Sequence, residues 1–202
     1  MANRIVLFFF LLCSSSTLSL AQFSLPRIDV EVKAHQTLIP GDDYNSPTSL
    51  KAIATTNLLL ATHVQINQYL AVGWYYSNSF RGSGYNTDFK GKFWKDGDSK
   101  AMTSLSGPDI RISTGRAAKW RPYLSINYAS AQVVEDKGSF RFSTKLAAVG
   151  GSIGIMRRYG NHLYWNVLEI GIKQFSQKLF WGNDSFLIDA KMGFTYNIGK
   201  KK

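Results

Sequence analysis

Charged side chains recur on the polar side of several apolar runs. Asp29, Glu31 and Lys33 lie near the start, Arg111 in the middle, and Glu169, Lys173, Asp189 and Lys191 towards the end. Carboxylates and cations in such patterns can exchange protons, hold a metal, or neutralise one another in a buried network. The first two uses find no support around them. His35, His63 and His162 fall in separate runs at no metal-ligand spacing, and neither a C-x-x-C nor an H-E-x-x-H pattern occurs. No G-x-S-x-G elbow is present. Asp42-Asp43 reads as part of a turn. Gly150-Gly151-Ser152-Ile153-Gly154 reads as bending backbone in a strand, because no helix follows it to complete a phosphate cradle. Catalytic residues, metal and cofactor are therefore expected to be absent. The charges are expected to form ion pairs inside a barrel, or else to be the solvated outer face of a soluble one.

The elements that must position them are strands. Ser185 to Gly199 alternates strictly, with Phe186, Ile188, Ala190, Met192, Phe194, Tyr196 and Ile198 on one side and Asp189, Lys191, Gly193, Thr195 and Asn197 on the other. A period of two sends successive side chains to opposite faces of a strand. The same rhythm predicts strands over 27–38, 51–66, 69–80, 108–116, 121–133, 145–158 and 162–175. Turn-rich connections fall between them at 39–51, 81–107, 134–144 and 176–184. Eight strands with alternately long and short connections suit an antiparallel up-and-down barrel.

Residues 1–21 stand apart. Arg4, the short apolar run Ile5–Leu12 and the Ser19-Leu20-Ala21 site form a signal-peptide pattern with cleavage predicted after Ala21, leaving 22–202 as one domain. The single cysteine, Cys13, falls within that leader, so the mature chain has no thiol chemistry. The formal charge of +11, or +10 without Arg4, is spread along the chain and not clustered. Scattered basic residues fit anionic lipid headgroups or surface polysaccharide better than nucleic acid.

Lys191-Met192-Gly193-Phe194-Thr195-Tyr196-Asn197-Ile198 resembles the closing-strand signal of outer-membrane β-barrels, with Lys191, Gly193, Tyr196 and Ile198 at its marked positions. It departs from that signal by ending on Ile198, Gly199 and three lysines in place of a terminal Phe. With Asn67-Gln68-Tyr69-Leu70-Ala71-Val72-Gly73 and Arg121-Pro122-Tyr123-Leu124, it makes residues 23–199 resemble the small eight-stranded outer-membrane barrels of the OmpX and OmpA transmembrane-domain type. The resemblance implies an all-β, eight-stranded antiparallel transmembrane barrel in the outer membrane of a Gram-negative cell. It implies a monomer contacting outer-membrane lipid and lipopolysaccharide, inserted by the β-barrel assembly machinery. A structural or surface-interaction role follows, with a lumen too narrow for a large pore. The alternatives are a lipid-modifying enzyme of the membrane or a soluble ligand-binding barrel. Lipid A deacylases of this fold use a His-x-Ser pair, which His162-Leu163-Tyr164 does not match.

Aromatics near the strand ends, Tyr69, Trp74, Tyr76, Trp120, Tyr159, Tyr164, Trp165 and Tyr196, are expected to form membrane girdles, so the apolar faces point outward. The lumen then receives the charges, with Gly73, Ser125, Gly154, Gly171 and Gly193 leaving room. Arg81, Tyr85, Lys92 and Trp94, in the long connection, are candidates for contact with a surface glycan or protein ligand.

Overall fold

The computed structural model describes residues 27–42, 49–88, 93–95, 100–115, 118–137, 140–177 and 186–199. The expected leader and Lys92 lie outside them. The strands are β1 (Ile28–Asp42), β2 (Ser49–Gln65), β3 (Leu70–Asp88), β4 (Phe93–Lys95), β5 (Lys100–Ser113), β6 (Trp120–Lys137), β7 (Phe140–Tyr159), β8 (Leu163–Phe175) and β9 (Phe186–Ile198). All pairings are antiparallel. Leaving β4 aside, each strand pairs with its neighbours in sequence, and β9 pairs with β1 to close an eight-stranded up-and-down barrel. Closure removes the open edges that would otherwise recruit other chains.

Both chain ends of the barrel and the short turns share one rim. There Asn67 caps its turn, its side-chain oxygen accepting the amides of Tyr69 at 2.8 Å and Leu70 at 2.9 Å. At the other rim the strands run further than their outward apolar pattern suggests. The stretch 81–107 is not one loop: β3 continues to Asp88, β4 pairs with it through Tyr85–Thr87, and β5 begins at Lys100. Most of 134–144 is likewise strand. The reason lies in the side chains. Beyond the belt, Ser104, Ser106, Ser143 and Lys145 alternate with buried Thr103, Leu105 and Leu146, so hydrophobicity changes face while the period of two persists.

Two bulges modify the ring. Phe80 interrupts the β2–β3 register, and Val167 interrupts β7–β8. An extra residue reverses the in–out phase beyond it. Tyr164, expected in the girdle, therefore points inward and is buried beside Tyr123 and Met156, while Trp165 takes the outward position.

The candidate functional site: a charged lumen inside an apolar wall

The barrel has two surfaces of opposite character. Outward stand Val32, Leu58, Leu60, Val72, Ile110, Leu124, Ile126, Ile153, Ile170, Ile172, Met192 and Phe194, all exposed. Soluble monomers rarely expose contiguous apolar patches beyond a few hundred Å². Polar residues mark the upper limit of this belt: Gln36 and Thr56 are hydrogen-bonded to each other across β1 and β2 at 2.9 Å, with Ser130 and Gln174 on other strands. At the short-turn rim it ends on Tyr69, Trp120, Tyr159, Trp165 and Tyr196.

Inward, charge replaces apolar bulk, because the inward residues of β1, β5, β8 and β9 at this level are polar or glycine. Lys173 donates to Asp189 at 2.9 Å, and Asp189 lies 3.0 Å from Lys191. Lys191 reaches Glu169 at 2.7 Å; Glu169 accepts Lys33 at 2.7 Å; Lys33 lies 2.7 Å from Glu31. Glu31 is bound by both terminal nitrogens of Arg111, whose guanidinium lies 3.7 Å from Asp109. Asp109 ends the chain at His63 Nε2, 2.7 Å away. Four cations and four carboxylates thus alternate without a break, and each of the eight is buried. Neutral donors add to two of the carboxylates. Tyr123 Oη and Ser152 Oγ donate to Glu169 at 2.7 and 2.6 Å, and Ser125 Oγ donates to Asp109. The Tyr123 ring also lies under Arg111, 4.6 Å from its guanidinium carbon.

Small residues make this density possible. A Cβ on Gly193 would lie 2.1 Å from the Val32 carbonyl oxygen and 2.9 Å from the Lys33 stem; one on Gly154 would lie 2.4 Å from Tyr123 Cζ and 2.5 Å from its Oη. Lys33 and Tyr123 occupy the space those glycines leave.

Of the charged residues singled out from the sequence, Glu31, Lys33, Arg111, Glu169, Lys173, Asp189 and Lys191 lie together here. Asp29 does not. It sits nearer the short-turn rim and accepts the amides of Gln65 and Asn197. Alternation fixes a residue's face, but its height in the barrel depends on register. Asp109, His63 and Tyr123 join the network without having been singled out for it. Their signal was phase: Asp109 alternates with Arg111, and Tyr123 with Arg121 and Ser125.

On the closing strand, Lys191 and Gly193 face the lumen and Tyr196 and Ile198 face outward, opposite Val30 and Ile28 of β1. Arg81 is exposed near the long-strand rim. Tyr85 and Trp94 belong to the paired segment of β3 and β4, and their side chains, like Lys92, lie outside the described residues.

Above the network the lumen is closed differently. Thr37, Asn57, Thr55 and Thr103 are hydrogen-bonded to one another, with Asn57 Nδ2 donating to Thr37 at 2.7 Å and the two threonine hydroxyls Thr55 and Thr103 2.9 Å apart. An apolar cluster that includes Ile39, Ile53, Leu105, Leu146, Phe175 and Leu187 fills the interior beyond. His35 Nε2 lies 2.6 Å from Ser77 Oγ, both buried, and His162 Nδ1 donates to the Asn197 carbonyl at 3.0 Å. No cluster of metal-ligating side chains occurs among the described residues.

No protein-family model matches the sequence, and no curated protein does. Solved structures do match. The outer membrane protein OprG from Pseudomonas aeruginosa is similar at 9% identity and a TM-score of 0.53, over 88% of this chain and 98% of that one. The attachment invasion locus protein Ail of Yersinia pestis is similar at 9% identity and a TM-score of 0.52, over 86% and 99%. The outer membrane protein AlkL, solved in lipid bilayers, is similar at 10% identity and a TM-score of 0.53, over 90% and 94%. The shared property is the fold, that of a small eight-stranded outer-membrane β-barrel. An apolar outer belt, aromatic rims and a charged interior are the surfaces by which such a barrel sits in the outer membrane.

Proposed function

We propose that the protein is a closed outer-membrane scaffold that acts through its outer and upper surfaces, in envelope integrity or surface binding, and not by conduction or catalysis. The observation that carries this reading is the unbroken chain of ion pairs across the lumen, with an apolar plug above it. A narrow barrel filled by side chains leaves no aqueous path. The Ser77–His35 contact has the elements of a nucleophile and base. It is sealed inside, however, with exposures of 1% and 3%, where no substrate can reach it.

The partners we propose are anionic. Arg81, Lys100, Arg141 and Lys145 are exposed on the strand extensions beyond the belt, where lipopolysaccharide phosphates or an anionic surface glycan would lie. Lys191, Gly193, Tyr196 and Ile198 would present the last strand to the assembly machinery. Fractionation, protease shaving of intact cells and planar-bilayer recording test the reading together. We expect the protein in the outer membrane, cleavage confined to the long-strand rim, and no porin-like current steps. Steady porin-like steps from the native protein would refute the closed scaffold.

A further inference from the structure

The outer wall is not uniformly convex. Near the short-turn rim it carries an apolar groove of about 810 Å³, lined by Tyr69, Ile112, Pro122, Leu124, Ile155 and Leu168 among others. Its walls follow from the register. Pro122, Ile155 and Leu168 form one outward row across β6, β7 and β8; Leu124, Ile153 and Ile170 form the row above. Its floor is thin because the inward residue between Ile153 and Ile155 is Gly154, which leaves Tyr123 to back the wall.

The row immediately below the groove is Trp120, Arg157 and Trp165, again joined by the strand register. Arg157 sits 5.3 Å from the Trp120 ring centroid and 5.9 Å from that of Tyr159. Among the described residues no carboxylate pairs with it. Two aromatic rings thus hold a guanidinium at the rim of the belt, where an interfacial aromatic meets the headgroup level. An arginine offers a fork of donors matched to phosphate oxygens. The groove above it is apolar and faces hydrocarbon.

We propose that this groove and Arg157 together form a seat for an anionic phospholipid of the leaflet at the short-turn rim, with an acyl chain along the groove and the phosphate on Arg157. The seat rests on the reading of the wall as a membrane surface. It concerns the opposite leaflet from the basic residues proposed to meet lipopolysaccharide.

The test is native mass spectrometry of the full chain released from detergent, titrated with phosphatidylglycerol and, in parallel, phosphatidylcholine. The native protein should retain phosphatidylglycerol preferentially. Arg157→Gln should reduce that preference about fivefold, the equivalent of ~1 kcal/mol for one basic residue at an anionic surface. Ile155→Trp, which fills the groove from its outer side, should weaken retention of both lipids. Heat-modifiable gel mobility establishes folding of each variant in vesicles. Equal retention of the two lipids by the folded native protein, or an Arg157→Gln variant indistinguishable from it, overturns the seat alone. A native chain that never acquires the folded mobility overturns the membrane-barrel reading and the seat with it.

Discussion

Removing the Glu169 carboxylate is the most direct perturbation of the lumen. It accepts Lys33 and Lys191 at 2.7 Å each, as well as Tyr123 and Ser152. Breaking a buried ion pair by deleting one partner costs about 3–5 kcal/mol, because the other charge stays buried. Here two lysines lose a partner, but each keeps another: Lys33 has Glu31 at 2.7 Å and Lys191 has Asp189 at 3.0 Å. Glu169→Gln keeps an acceptor for the neutral donors and should cost ~3 kcal/mol, the low end of that range. Glu169→Leu strands Tyr123 and Ser152 as well and should approach ~5 kcal/mol.

Charge balance supplies the decisive comparison. Losing Glu169 leaves one uncompensated positive charge, which losing Lys33 as well removes. The double variant Glu169→Gln/Lys33→Met should therefore be more stable than the sum of its parts by ~2 kcal/mol, within the usual span for groups in one network. Urea unfolding from lipid vesicles, followed by tryptophan emission from the outward Trp74, Trp120 and Trp165, measures all of these. If Glu169→Leu costs under about 1 kcal/mol, or if the two substitutions are additive, the lumen network does not have the energetic role its geometry implies.

Further expectations concern the wall and the leader. Single cysteines replacing Ala190, Met192 or Phe194 should react with lipid-soluble probes and resist aqueous maleimide in folded vesicle samples, while one replacing Lys100 reacts with the aqueous reagent; equal aqueous labelling at all four would place the apolar face in water. Phe194→Arg should destabilise by about 2–4 kcal/mol and Tyr196→Arg, nearer the rim, by no more than ~1 kcal/mol, a depth dependence read from the same unfolding curves; equal costs would contradict the placement of the belt. The N-terminal sequence of envelope-extracted protein should begin at Gln22, and a retained Met1 or an acylated Cys13 would refute the leader.

The strands were legible wherever one face is apolar and the other polar, which is why Asp189, Lys191, Met192 and Phe194 face as their alternation implies. Three features were not. Tyr164 turns inward because Val167 bulges, and nothing in Asn166-Val167-Leu168 announces an extra residue. The strand extensions carry no outward apolar signal because the apolar side moves inside once water replaces lipid outside; Ser104-Leu105-Ser106 is ordinary soluble-barrel patterning. Asp29 shares its face with Glu31 and Lys33 but not their height, and only the ladder shows that Asn197 and Gln65 reach it first. Local periodicity reports direction, whereas partners many residues apart are set by closure.

That closure is itself specified by the two surfaces acting together. β9 meets β1 with Gly193 opposite Lys33 and Thr195 opposite Glu31. A slip of one residue would turn Lys191 and Asp189 into hydrocarbon and send Met192 and Ala190 into the lumen. A lysine near the midplane alone costs about 2–4 kcal/mol, and Lys173 and Glu169 would lose their partners besides. A slip of two residues keeps every side chain on its proper face, so alternation cannot reject it. It would, however, move Lys191 by roughly 7 Å relative to β1 and β8, two strand steps, and carry it beyond the reach of Glu169. It would also remove Gly193 from the stem of Lys33, whose neighbouring space no Cβ can enter. The lipid belt excludes odd slips and the ion-pair chain excludes even ones. The same charges that meet across the lumen therefore select the register in which the last strand completes the barrel.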